Sequence, residues 1–137
     1  MVLRRDLRSA REEHDVTSPQ KQKGNRAERI VVAWLHRFGY TQAHRTRAGF
    51  VDDIGDIDGF DNVVIEVKDR KTLDLFDWLR QLRRQKAAKD AGLGFVIIKK
   101  RGSLDPHDWA YLVDSDTFLN ILTRSNWKKP KEETPES

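Results

Sequence analysis

The sequence predicts an α/β fold in which one mixed β-sheet is flanked by helices. Apolar residues recur at helical spacing over residues 25–38, which indicates an amphipathic helix. The segment Val63–Lys68 is rich in β-branched residues and predicts a strand. Residues 94–99 form a second apolar run, and a long helical pattern separates the two strands. Such an alternation builds a sheet that carries helices on its faces.

The first helix has recognisable start and stop signals. Asn25 suits the N-cap position, and Glu28 three residues later completes a pattern like a capping box. Gly39 ends the helix, and a short extended segment over residues 42–47 follows. The apolar stripe comprises Ala27, Ile30, Val31, Trp34, Leu35 and Phe38.

The second half of the chain predicts a helix, two strands and a last short helix. The second helix should run from Thr72 or Leu73 to Ala91 and end at Gly92. Its apolar side would comprise Leu73, Phe76, Leu79 or Trp78, and Leu82. Residues 109–113 alternate as a strand, and Ser115 or Asp116 would cap a helix that reaches Leu122. The predicted order is therefore α-β-β-β-α-β-β-α.

Length and composition limit the possible classes of protein. The 137 residues suit a single domain, with residues 1–23 as a flexible basic arm, 24–127 as the folded domain and 128–137 as a disordered tail. The chain has no cysteine, which excludes disulfides and thiolate chemistry and predicts a cytoplasmic protein. The apolar runs are too short for a membrane span, and the four histidines lack zinc spacing.

The charges are distributed unevenly along the chain. The net charge of +4 permits a polyanionic partner without requiring one. Residues 68–89 hold eight bases and three acids, whereas residues 52–61 hold five acids and no base. A basic stretch beside an acidic one suits a site where metal ions and phosphates meet.

Two charged residues interrupt the apolar strand Val63–Lys68. Glu66 and Lys68 lie two residues apart, so their side chains leave the same face of the strand together with that of Val64. Burying these charges is costly unless they are paired or bind a metal. A strand with one solvated face and a surface ion pair is the simpler alternative.

The position of Asp56 relative to Glu66 depends on the loop that joins their strands. A two-residue loop, Asp61 and Asn62, would send the two carboxylates to opposite faces of the sheet. A three-residue loop that also includes Phe60 would pair Asp56 with Glu66 on one face, and Asn62 tolerates the left-handed backbone that such a loop needs. The sequence permits both.

Adjacent carboxylates favour a hard divalent cation with oxygen ligands, namely Mg²⁺ or Mn²⁺. A neighbouring lysine such as Lys68 can orient a water molecule and offset the charge that develops on a phosphorane. Metal-assisted hydrolysis of a phosphodiester uses these groups.

The motif resembles the signature of the PD-(D/E)XK nuclease superfamily. Gly55-Asp56 is followed, after nine residues, by Glu66-Val67-Lys68. Glu28 in the first helix, followed by the apolar stripe and Gly39-Tyr40, is similar to the archaeal-type Holliday junction resolvase branch and its phage relatives. The resemblance covers residues 24–102 and implies a restriction-endonuclease-like core.

The resemblance implies a role for each matching residue. Asp56 and Glu66 would bind the catalytic ion together with the main-chain carbonyl of Val67, and Lys68 would orient the attacking water. Glu28 would complete the site, directly or through water; its alternative is a plain capping residue. The chain departs from the family in offering Thr46 where resolvases often have a serine, and in lacking a tyrosine after Gln81 or Gln85.

The function implied by the resemblance is a Mg²⁺-dependent, structure-selective DNA endonuclease, namely a Holliday junction resolvase. Two symmetric nicks in a four-way junction imply a homodimer. The alternatives are another DNA nuclease of the superfamily, such as an exonuclease or repair nickase, and a non-catalytic DNA-binding protein on the same fold. Phosphate contacts are expected from Arg45, Arg47, Arg70 and Lys71, with further bases on the second helix.

Overall fold

The computed structural model describes residues 19–46 and 54–125, so Arg47, Asp52, Asp53, most of the predicted arm and the predicted tail lie outside the described residues. Its helices are α1 (Pro19–Arg37), α2 (Leu75–Lys89) and α3 (Ser115–Arg124), with a short 3₁₀ helix at Pro106–Asp108. Its strands are β1 (His44–Arg45), β2 (Ile57–Asp58), β3 (Val63–Lys68), β4 (Leu93–Ile98) and β5 (Ala110–Val113). The predicted element order is confirmed. None of the helices in these two ranges combines the length and apolar character that crossing a bilayer requires.

The strands form one open mixed sheet in the order β1-β2-β3-β4-β5. Only β3 and β4 run parallel, because α2 crosses over between them; the other neighbours are antiparallel. The predicted α/β architecture, a mixed sheet flanked by helices, is therefore confirmed.

The hairpin between β2 and β3 has the register of the three-residue loop. Ile57 lies opposite Ile65, as the three-residue loop requires, and the backbone N–H of Asp56, the residue before this pair, donates to the carbonyl of Ile65. Asn62 adopts the left-handed conformation, with φ of 65°. A slip of one residue would turn Ile57 away from the core, where it is fully buried. Burial of this isoleucine thus explains the choice between the two loops.

The two faces of the sheet carry separate apolar clusters. The face covered by α1 comprises Ala27, Val31, Ala43, Ile57, Ile65, Val67, Ile97 and Trp109. The opposite face, covered by α2, comprises Val64, Trp78, Leu82, Val96 and Ile98. The alternation of β3 side chains between the two faces is as predicted, so Glu66 and Lys68 share the α2 face with Val64.

The first helix begins earlier than its sequence signals predict. It starts at Pro19, a residue well suited to the first turn, so Asn25 is not its N-cap. Residues 19–23, assigned to the flexible arm by the sequence analysis, belong to this helix. The prediction failed because Asn25 has cap chemistry, and a side chain with that chemistry can also serve a tertiary partner inside a helix.

The second and third helices also differ from prediction. Leu73 and Phe76 were expected on the buried side of α2, but they are 58% and 76% exposed. The buried side instead comprises Trp78, Leu82, Gln85 and Lys86. The helix ends at Lys89, with Asp90 rather than Gly92 in the left-handed conformation. Asp114, not Ser115 or Asp116, caps α3 by accepting a hydrogen bond from the Thr117 backbone.

A buried ion pair explains why a charged residue, Lys86, lies on the buried side of α2, where the apolar pattern did not predict it. The Nζ atom of Lys86 donates to Oδ2 of Asp114 at 2.6 Å, and both side chains are almost fully buried. The hydrogen bonds from Lys86 and from Thr117 hold the pKa of Asp114 below its usual range, although burial acts in the opposite direction. A charged residue can therefore occupy a core position, and its partner lies far away in the chain.

Candidate active site

The acidic residues singled out by the sequence meet in one cleft. Glu28 comes from α1, Asp56 from the residue before β2, and Glu66 and Lys68 from β3. All four line a cleft of about 440 Å³, and Val67 lines it as well. The fold thus brings together three carboxyl groups and one ammonium group from three separate segments.

Asp56 is held in place by its neighbours on β3. Its backbone N–H donates to the carbonyl of Ile65 at 2.8 Å, and its Oδ2 atom accepts from the backbone N–H of Val67 at 2.8 Å. The preceding Gly55 has φ of 101°, and Oγ1 of Thr46 donates to the Gly55 carbonyl at 2.6 Å. The carboxylate is therefore fixed at the edge of β3, and Thr46 supports the backbone that carries it.

Glu28 is paired with a base on the first strand. The Nε atom of Arg45 lies 2.9 Å from Oε1 of Glu28, and its Nη2 atom donates to Oδ1 of Asn25 at 2.7 Å. Burial, followed by repulsion from Asp56, raises the pKa of Glu28 to about 7, although Arg45 acts in the opposite direction. Glu28 is therefore not a capping residue, since its helix begins at Pro19 and its carboxyl group interacts with that of Asp56.

Glu66 and Lys68 form a nearly buried pair. Glu66 is 4% exposed, and its Oε2 atom lies 3.5 Å from Nζ of Lys68. The same Nζ atom donates to Oε1 of Gln81 at 2.9 Å, and it lies 5.8 Å from the centre of the Trp78 ring. The ammonium group is thus held by α2 as well as by β3. The pair is not the solvated surface ion pair of the simpler alternative.

The cleft contains oxygen donors of the kinds that hard divalent cations prefer. Burial raises the pKa of Asp56, whose carboxyl group also interacts with those of Glu28 and Glu66. The Val67 carbonyl points to the same strand edge as its N–H, which reaches Asp56. Two carboxylates and a carbonyl suit Mg²⁺, which usually keeps several waters. In residues 19–46 and 54–125, no three His, Cys, Asp or Glu side chains are grouped closely enough to hold a metal.

The predicted phosphate-binding residues lie in different surroundings. Arg70 lines the acidic cleft and its neighbour, and Lys71 lines only the neighbouring cleft. Arg45 forms an ion pair with Glu28, so that carboxylate neutralises part of its positive charge. Lys89, counted in the basic stretch, instead donates to Asp58 and to the carbonyls of Phe60 and Val63, and so braces the hairpin loop.

A larger cleft, of about 650 Å³, lies between α2 and α3. Its charged lining includes Lys86 and Asp114, which already neutralise one another at 2.6 Å. Asp90, Asp114 and Asp116 also line the larger cleft, but Asp114 is paired with Lys86. In the smaller cleft the carboxyl group of Asp56 instead interacts with those of Glu28 and Glu66. We therefore place the candidate site in the smaller cleft.

Sequence reasoning missed several residues that shape the site. Lys21 lines the cleft although it was assigned to the flexible arm, and Asn25 anchors Arg45 from within the helix. Gln81 was noted without a role and contacts Lys68. The sequence shows only that Gln81 lies on the same helix face as Trp78 and Gln85. Its contact with Lys68 could not be predicted, because that contact depends on how α2 crosses β3.

Comparisons with known proteins identify no relative. No protein-family model, no curated protein and no solved structure matches the chain. The functional argument therefore depends on the geometry of the cleft.

Proposed function

We propose that this protein is a metal-dependent nuclease that hydrolyses phosphodiester bonds in DNA. The observation that carries the proposal is the meeting of Glu28, Asp56, Glu66 and Lys68 in one cleft. Carboxylates crowded in a partly buried site resist ionisation, and a bound divalent cation relieves this cost. A core of the restriction-endonuclease type is part of the proposal, because the mixed sheet and the flanking helices are compatible with it.

The proposed mechanism assigns a task to each of these side chains. Asp56, Glu66 and the Val67 carbonyl would hold Mg²⁺, with Mn²⁺ as a substitute, and Glu28 would act through a bound water. The ion supplies Lewis-acid activation of the phosphate and of water. Lys68 lies 3.5 Å from Glu66, where its ammonium group can orient the attacking water and offset negative charge at phosphorus. Gln81 keeps that ammonium group in place.

The proposed substrate is branched DNA, with a Holliday junction resolvase as the specific activity. Arg70 and Lys71 would contact the phosphate backbone beside the cleft, without reading bases. A resolvase acts as a homodimer, since a four-way junction needs two symmetric nicks. A panel of linear, nicked, flapped and four-way DNA substrates tests this point. Preference for free ends would replace the resolvase by an exonuclease, and a preference for nicks would favour a repair nickase.

The test of nuclease activity removes one charged group at a time. We expect Asp56→Asn, Glu66→Gln and Lys68→Ala each to abolish Mg²⁺-dependent nicking of a labelled junction, while the junction is still bound in EDTA. Asp61→Asn is the matched control, because Asp61 is exposed and lies in the hairpin loop outside the cleft lining. Full cleavage by the Glu66→Gln protein would refute the proposal.

Calorimetry with Mn²⁺ separates an enzyme from a non-catalytic DNA-binding protein. The proposal expects binding of Mn²⁺ to the wild type and loss of that binding in Asp56→Asn. Circular dichroism of both proteins controls for folding. Unchanged Mn²⁺ binding in the variant would show that Asp56 is not a ligand of the metal.

A further inference from the structure

Arg45 links the two segments that carry the acidic side chains Glu28 and Asp56. Its Nε atom lies 2.9 Å from Oε1 of Glu28 in α1. Its main chain pairs with Ile57, the residue that follows Asp56, in the ladder between β1 and β2. Arg45 contacts Glu28 from β1 and is not among the residues that line the acidic cleft. The position of Glu28 relative to Asp56 therefore depends on this arginine.

The guanidinium group of Arg45 is held by α1 at two points. Besides its contact with Glu28, its Nη2 atom donates to Oδ1 of Asn25 at 2.7 Å. Asn25 and Glu28 lie three residues apart and so share one side of the helix. A planar guanidinium group can donate to both from one rigid fork, which an ammonium group cannot do. Thr46, the next residue, donates its backbone N–H to the carbonyl of Asp56 at 2.9 Å, which fixes the segment that carries the arginine.

The ion pair with Arg45 competes with a metal ion for Glu28. The side chain of Glu28 is 16% exposed and that of Arg45 is 37% exposed, so water screens their attraction only in part. The carboxyl group of Glu28 also interacts with that of Asp56, which is a proposed metal ligand. Glu28 thus interacts both with a fixed cation and with a carboxylate that would hold the divalent ion.

We propose that Arg45 is a positioning residue that keeps Glu28 from binding the divalent ion directly, so that Glu28 acts only through water. This inference rests on the proposed nuclease function, in which Asp56 and Glu66 hold the ion, and it gives Arg45 a task other than the predicted phosphate contact. Mg²⁺ bound by one or two carboxylates usually keeps several waters. A third carboxylate would displace one of them, and hydrolysis needs water as its nucleophile. Arg45 therefore keeps one coordination position open to water.

The test measures the affinity of the full chain for Mn²⁺ by calorimetry, without DNA. We expect Arg45→Ala to bind Mn²⁺ about tenfold more tightly than the wild type, on the scale by which outer partners change metal affinity. In the Glu28→Gln background the same substitution should leave the affinity unchanged, because Arg45 acts through the Glu28 carboxylate. Arg26→Ala is the matched control and should alter Mn²⁺ binding little. Arg26 is an exposed base on the same helix, outside the cleft lining, so its removal changes the net charge equally.

Two further readouts separate positioning from a loss of structure. At saturating Mg²⁺, Arg45→Ala should nick a labelled junction about tenfold more slowly, although it holds the metal more tightly. A site that had merely lost its structure would lose both properties. Water-proton relaxation should show fewer waters on Mn²⁺ bound to the variant than on Mn²⁺ bound to the wild type. Arg45→Met keeps the apolar stem of the side chain, and it replaces Arg45→Ala if circular dichroism shows that the alanine variant does not fold.

The outcomes distinguish this inference from the nuclease proposal. Unchanged or weaker Mn²⁺ binding in a folded Arg45→Ala protein would overturn the inference alone. An equal gain in the Glu28→Gln background would also overturn it, because the effect would then be one of charge and not of position. Weaker junction binding in EDTA, with unchanged Mn²⁺ binding, would assign Arg45 to a phosphate contact and overturn the inference.

Two results concern the proposed function itself. Cleavage that survives Glu66→Gln would overturn that function while leaving the effect of Arg45 on Mn²⁺ binding intact. Absence of Mn²⁺ binding to the wild type would overturn both the function and the inference.

Discussion

Glu28 offers a direct test of the electrostatics of the cleft. Its side chain is 16% exposed, and burial followed by repulsion from Asp56 raises its pKa from 4.5 to about 7. The folded protein therefore keeps a proton on this group that the unfolded chain has already released. The proton on Glu28 therefore contributes to the free energy of unfolding. This contribution is complete below pH 4.5 and is lost as the pH rises through about 7.

Glu28→Gln makes this contribution measurable, because glutamine has nearly the same shape and cannot ionise. The difference between pKa values of 4.5 and about 7 corresponds to at most about 3 kcal/mol. Repulsion from Asp56 adds to this difference and the ion pair with Arg45 opposes it, and the pKa of about 7 already contains both effects. We expect equal stability of the two proteins below pH 4.5, and a variant that is more stable by up to about 3 kcal/mol above pH 7.

The assay is urea denaturation of the metal-free proteins in EDTA, followed by circular dichroism from pH 4 to pH 8. Asp77→Asn is the control, since Asp77 forms an exposed ion pair with Arg80 and should show little effect. Stability curves for wild type and Glu28→Gln that stay parallel across this range would refute the reasoning, because Glu28 would then ionise at its ordinary pKa. Added Mg²⁺ should stabilise the wild type more at pH 8 than at pH 6, if it binds the ionised cluster.

Two further predictions concern the framework of the site. Lys86→Met should lower the free energy of unfolding by about 3–5 kcal/mol, because it leaves Asp114 charged and buried without its partner. Adding Asp114→Asn should recover part of this loss, as measured by urea denaturation. Gly55→Ala should abolish nicking, since a Cβ there would lie 2.9 Å from the Ile65 carbonyl and displace Asp56. Gly39→Ala, also at positive φ but in open space, should lose about 1 kcal/mol of stability and keep the activity.

Local patterns predicted most of the secondary structure. The β-branched run of β3 and the apolar run of β4 predicted strands, and the structure confirms both. The order of all eight major elements is also as predicted. Helix boundaries were less certain, because α1 starts at Pro19 instead of near Asn25. Start signals are short and chemically ambiguous: a side chain that can cap a helix can equally anchor a tertiary partner, as Asn25 does for Arg45.

Burial along α2 could not be predicted from the apolar pattern. Leu73 and Phe76 lie exposed, whereas Lys86 is buried against Asp114. The sequence distance between the two members of this ion pair exceeds the reach of any helical periodicity. Only the packing of α3 beside β4 brings Asp114 to Lys86.

The sequence by itself determined that Glu66 and Lys68 project from one face of a strand, since side chains alternate along any β-strand. The tertiary structure alone decided that Asp56 and Glu28 join them. The meeting of Asp56 and Glu66 depends on the hairpin register, which burial of Ile57 selects from two locally acceptable loops. The approach of Glu28 depends on where α1 crosses the sheet, and long-range packing of the apolar clusters sets that crossing.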